Sequence, residues 1–86
     1  MYKIVISEKL SKELRKLVKK DNVMYSAIIK KSEEIRIHPD RYKNLNSPMN
    51  NLKRVQIGTH FILQFSVDDK TKTVTLEYLE HHDDAY

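Results

Sequence analysis

The chain opens and closes on a two-residue alternation of apolar and polar positions, with a helical period between them. Residues 2–6 alternate weakly and end at Ser7, which predicts a short strand followed by a helix. Ser7 suits the N-cap, because its hydroxyl can accept from a free backbone N–H. Leu10, Leu14, Leu17 and Val18 then recur at helical spacing among lysines and glutamates, which predicts a helix over about residues 8–20. Asp21 or Asn22 breaks that helix and can cap the next. Val23, Met24, Ala27, Ile28 and Ile35 carry a second amphipathic helix. It should stop before His38-Pro39, since the residue preceding a proline avoids the α region. Residues 39–51, rich in Pro, Asn, Asp and Ser, read as a loop.

From Leu52 the period returns to two. Val55 and Ile57 share one face, and Arg54 and Gln56 point to the other. Gly58, the one glycine of the chain, suits with Thr59 a two-residue hairpin turn that needs positive φ at its first central position. Phe61, Leu63, Phe65 and Val67 alternate with Ile62, Gln64 and Ser66, and His60 extends the polar set. Residues 68–71 form a polar turn. Residues 73–79 form a last strand rich in β-branched side chains, and 80–86 a tail. The order βααβββ predicts an α+β domain over residues 1–86. A helical hairpin should pack on one face of a small, largely antiparallel twisted sheet. The opposite face should display Arg54, Gln56, His60 and Gln64.

At 86 residues the chain buries roughly 60% of its unfolded surface, so chemistry should lie on an open face or in a shallow groove. Without cysteine there is no disulfide framework, no thiol nucleophile and no thiolate metal site. The apolar run at the start is too short for a signal peptide, and no window approaches a membrane span. These features point to a cytoplasmic protein. The net charge is +4 and uneven: residues 1–46 hold 12 Lys and Arg against 6 Asp and Glu, and residues 47–86 hold 4 against 6. The basic first half, with Lys16, Lys19, Lys20, Lys30 and Lys31 on its helices, attracts polyanions such as RNA, DNA or an acidic protein.

Arg54, Gln56 and His60, around one hairpin, can converge on a single anion, and Lys53 adds a cation beside them. His82 and Tyr86, beyond the last strand, can reach the same patch. This set suits phosphodiester cleavage without a metal. An RNA 2′-hydroxyl attacks the adjacent phosphorus, a base takes its proton, an acid protonates the leaving 5′-oxygen and a cation holds the phosphoryl oxygens. Histidine suits either proton role near neutrality, and arginine the phosphate clamp. The run His81-His82-Asp83-Asp84 can also be read as metal ligands, but neighbouring histidines at a strand end diverge, and no established ligand spacing appears. Gly-rich phosphate loops, G-x-S-x-G and H-E-x-x-H are absent.

Four segments carry a family resemblance. Pro39-Asp40-Arg41-Tyr42-Lys43-Asn44-Leu45 resembles a P-x-R-x-K-x-L stretch after the second helix. Leu52–Gly58 resembles Y-R-I-R-V-G, and Thr59–Phe65 resembles Y-R-V-I-Y-x-V. Glu80–Tyr86 resembles a terminal G-H-R-x-D-x-Y. In that order they are similar to the RelE branch of the RelE/ParE superfamily of type II toxin–antitoxin toxins.

The resemblance implies a small basic endoribonuclease that enters the ribosomal A site and cuts messenger RNA through the 2′-hydroxyl. It implies no metal and no small-molecule cofactor. The implied partners are the ribosome, mRNA and a cognate acidic antitoxin that wraps and blocks the toxin. The family's basic strand position falls on Arg54 and its second strand cation on Gln56. The arginine of the next strand falls on His60, that near the C-terminus on His82, and the terminal catalytic tyrosine on Tyr86. Gln56, His60 and His82 depart from the basic pattern. Histidine carries full charge only when protonated and Gln56 removes a cation, so transition-state stabilisation should be weaker. The alternatives are a non-nucleolytic gyrase inhibitor like the ParE branch, and a catalytically weakened toxin that only binds its antitoxin.

Overall fold

A computed structural model describes residues 1–42 and 52–81. The elements are β1 (Lys3–Ile6), α1 (Glu8–Lys20), α2 (Asn22–Ile37), a 3-10 turn (Pro39–Arg41), β2 (Leu52–Ile57), β3 (Phe61–Asp68) and β4 (Thr73–His81). The α+β order is the one the periodicity predicts. The four strands form one sheet in the order β1-β4-β3-β2, with β1 parallel to β4 and the other pairs antiparallel.

Local capping explains the helical hairpin. The Ser7 hydroxyl accepts from the Leu10 N–H at 3.1 Å, and the Asp21 carboxylate accepts from the Met24 N–H at 3.0 Å. One residue, Asp21, thus ends α1 and caps α2, so the connection is as short as a hairpin of helices allows. At its other end α2 stops at Ile37, ahead of Pro39. The Tyr2 N–H donates to the Arg36 carbonyl and the Arg36 Nε to the Tyr2 carbonyl, at 2.9 and 3.1 Å, so the end of α2 is tied to the start of the chain.

Leu10 and Leu14 of α1 and Ile28 and Ile35 of α2 meet Ile57, Leu63, Phe65, Val74 and Leu76 of the sheet in one buried cluster. Each such fully buried side chain contributes about 1.5–3 kcal/mol relative to exposure. Tyr42, just past the 3-10 turn, packs edge-on against Phe65 with ring centroids 5.6 Å apart. Val18 and Val23 do not join this core. Val23 is 82% exposed, while Met24, Tyr25 and Ala27 beside it in α2 already pack against the core.

The structure departs from the sequence reading at three further places. The β2–β3 connection has three residues, Gly58, Thr59 and His60, since Ile57 pairs with Phe61. Gly58 has φ +63°, and a side chain there would be strained and would approach Met24 Cε at 3.3 Å. His60 therefore belongs to the turn and not to a strand face. Second, the sheet face away from the helices is not uniformly solvated: Leu52, Ile62 and Gln64 on it are buried, Gln64 to 6% exposure. Third, the loop begins with the 3-10 turn at Pro39, and β4 runs on to His81 instead of ending at 79. Residues 43–51, including the Lys43-Asn44-Leu45 part of the first family segment, lie outside the described residues, as do 82–86.

The β3–β4 turn owes its shape to Asp68, whose carboxylate accepts from the N–H groups of Lys70 and Thr71 at 2.9 and 3.3 Å. Tyr2 donates its hydroxyl to Asp69 at 2.6 Å. That bond raises the Tyr2 pKa, with a further contribution from the negative charge of Asp69.

Candidate functional site

Three strands meet at the sheet end that carries the Gly58 turn. Arg54 of β2 is aligned with Gln64 of β3, and Gln64 with Tyr78 of β4. One step nearer the turn, Gln56 is aligned with Ile62 and Ile62 with Glu80. These two rows share the face away from the helices. Arg54 is exposed there, and it makes no ion pair or hydrogen bond among the described residues. The Gln56 amide donates to the Gly58 carbonyl at 3.2 Å, so it supports the turn.

An irregularity in β4 decides which side chains occupy this face. Leu63 pairs with Leu79, but Phe65 pairs with Leu76, so Glu77 is an extra residue in β4. Such a bulge reverses the strand's parity. It allows Leu76 and Leu79, three apart, both to pack against the core, and it turns Tyr78 to the Arg54 face. The bulge is pinned twice: Ser66 donates to the Glu77 carboxylate at 2.9 Å, and Ser7 donates to the Glu77 carbonyl at 2.8 Å.

His60 and His81 come together at the tip of the sheet. Their rings lie in parallel planes, 2° apart, with centroids 5.9 Å apart, and Phe61 meets His81 edge-on at 5.0 Å. His81 pairs with Phe61 and shares the parity of Leu79. The histidine pair is thus at the turn end, not in the row of Arg54. A strand that continues past the bulge brings His81 to His60. Unbroken alternation in residues 73–79 hides this, so His81 was visible in the sequence only as part of a His81-His82 run. His82 and Tyr86 lie outside the described residues.

The basic residues separate by environment. Lys16, Lys19, Lys20 and Lys30 are exposed on the helices. Lys31 is half-buried and lies 3.6 Å from Glu34. Lys53, half-buried on the core side of β2, donates its ammonium to the Tyr42 carbonyl at 2.9 Å. Among the described residues no three His, Cys, Asp or Glu side chains are placed to hold a metal ion. None of the described helices is long and apolar enough to cross a membrane.

No family model matches the chain. A protein of Methanocaldococcus jannaschii, named "Putative toxin RelE4", is 48% identical over 86 residues, covering all of this chain and 92% of the relative. The chain belongs to the RelE family. A Methanosarcina mazei protein of uncharacterised function is 46% identical over the full length of both. Among solved structures, the toxin–antitoxin complex RelBE2 of Mycobacterium tuberculosis contains a chain that matches with TM-score 0.80 at 20% identity, over 93% of this chain and 96% of that one. At that identity the match speaks for the RelE fold.

Proposed function

We propose that this RelE-family chain is the toxin of a type II toxin–antitoxin pair, a single cytoplasmic domain that cleaves messenger RNA on the ribosome without a metal. The observation that carries the proposal is Arg54, exposed on the helix-free sheet face and without an ion pair or hydrogen bond among the described residues, in a chain whose relative is named as a toxin. In this reading Arg54 clamps the phosphoryl oxygens as the 2′-oxygen attacks phosphorus and the 5′-oxygen leaves. His60 assists it, His82 protonates the leaving oxygen, and Tyr86 helps remove the 2′-proton. The exposed Lys16, Lys19, Lys20 and Lys30 attract the RNA, and Lys31, Lys53 and Gln56 join them only by leaving Glu34, Tyr42 and Gly58. An acidic antitoxin suits the same cationic surface, and the solved RelBE2 structure is a toxin–antitoxin complex.

The test is induction of the chain in a translating extract, with primer extension on the messenger. Ribosome-dependent cuts are the expected result. The change His82→Ala or Tyr86→Phe should slow cutting by at least about tenfold, since a proton-transfer group contributes about 10²–10⁴-fold. Cleavage undiminished in the double variant His60→Ala, His82→Ala would remove both histidines from the chemistry. The Gln56 amide is bonded to Gly58 and brings no charge, which favours as second reading a weakened toxin that only binds its antitoxin. An intact messenger together with a stable antitoxin complex would select that reading, and an intact messenger with trapped gyrase the ParE-like one.

A further inference from the structure

The Glu77 bulge places an exposed aromatic ring on the open face of the sheet. Without the extra residue, Tyr78 would share the parity of Leu76 and enter the core; with it, Tyr78 stands in the row of Gln64 and Arg54, 40% exposed. A large apolar ring turned outward by a bulge that two serine side chains hold is a poor choice for stability, and bulges re-aim side chains next to active sites. Gln64, next to Tyr78 in the same row, and Ile62 are buried on this face, so the Tyr78 ring is the exposed large side chain of β4 there. Two strand spacings, about 10 Å, separate the backbone of Tyr78 from that of Arg54. The Lys9 ammonium, from the first turn of α1, lies over the Tyr78 ring, 5.4 Å from its centroid.

We infer that Tyr78 and Lys9 form a nucleobase subsite, in which one base of a single-stranded RNA stacks on the Tyr78 ring and Lys9 swings from the ring onto the neighbouring phosphate. The inference rests on the RNA-cleaving reading above and adds to it the group that positions the strand for Arg54. An exposed lysine–aromatic contact is weaker than a base–aromatic stack, so the base displaces the ammonium. Lysine's long flexible stem lets the charge follow to the phosphate. Stacking accepts every base, and a flat ring beside a cation is how single strands are held without sequence reading. The hydroxyl has no part in this, since the ring's face carries the contact.

The full-length chain, titrated into a 5′-fluorescein-labelled single-stranded oligoribonucleotide and followed by anisotropy, tests the subsite. The change Tyr78→Leu should weaken binding by about tenfold, within the range of one lost stack, and Tyr78→Phe should leave it within about twofold. An oligomer with abasic positions should bind wild type as weakly as the intact oligomer binds the leucine variant, and should lose nothing further in that variant. Matching urea midpoints for the variants exclude a folding effect. Equal affinity of wild type and Tyr78→Leu for the intact oligomer would overturn the subsite, as would an abasic penalty that is the same in both. If wild type cleaves messenger in the translating extract while this happens, the subsite alone falls. If wild type neither binds nor cleaves RNA, the endoribonuclease reading falls and the subsite with it.

Discussion

The two halves of β4 share one strand and meet opposite fates. From Thr73 to Leu76 the strand is hydrogen-bonded on both edges, to β1 and to β3, and Val74 and Leu76 are enclosed completely. From Tyr78 to His81 the register continues with β3, while β1 has already ended at Ile6. There Tyr78 and Glu80 are exposed and His81 stacks on His60. Glu77 separates the halves. A strand flanked on both edges and covered by helices supplies stability. Where β1 runs out, the same strand exposes polar and aromatic groups at little cost to the core. Fold and candidate site thus meet at one residue of extra backbone.

The largest loss of stability belongs to the enclosed half. Leu76→Ala should cost about 2–5 kcal/mol, read as a lower urea midpoint, because the cavity lies among helix and sheet side chains that cannot close on it. On the open face the pattern should invert. Arg54→Ala should leave the urea midpoint within about 0.5 kcal/mol, as at an exposed position, and lower messenger cleavage by about a hundredfold. A large stability loss in that variant would make Arg54 scaffold.

The joint between the halves should respond at an intermediate level. Ser7→Ala removes both the cap of α1 and the bond to the Glu77 carbonyl, and should cost about 1–2 kcal/mol in the same measurement. The smallest effect belongs to the Tyr2–Asp69 bond at the far end of the sheet. Its raised tyrosine pKa means the neutral phenol is favoured in the folded chain. The stabilisation is present below the ordinary tyrosine range, near pH 10, and is lost as pH rises through the folded value. Thermal scans should show wild type losing stability over that alkaline range more steeply than Tyr2→Phe. Equal slopes would mean that the bond does not hold in solution.

The helices were almost wholly legible, because local chemistry dictates them: Ser7 and Asp21 cap, Pro39 stops, and the apolar spacing selects the buried stripe. Arg54 and Gln56 were equally legible, since parity within one short strand needs no partner. His60 was not, because loop length depends on which residues pair across the hairpin, and Ile57 with Phe61 leaves three residues between them. The burial of Gln64 was not legible either, because alternation assigns a residue to a face and does not record how far the side chains of the flanking strands close over it.

By itself the sequence determined the element order, the helix ends, the basic helical surface and the family to which its segments belong. All of these depend on neighbours within a few residues along the chain, or on a linear pattern. Only the tertiary structure decided that β1 stops short of the end of β4, that Glu77 is an extra residue, and that Tyr78 faces Arg54 while His81 reaches His60. Register between strands is a property of pairs distant in sequence. One inserted residue reverses every side chain beyond it, and no periodicity in a single strand records where its partner takes up the count.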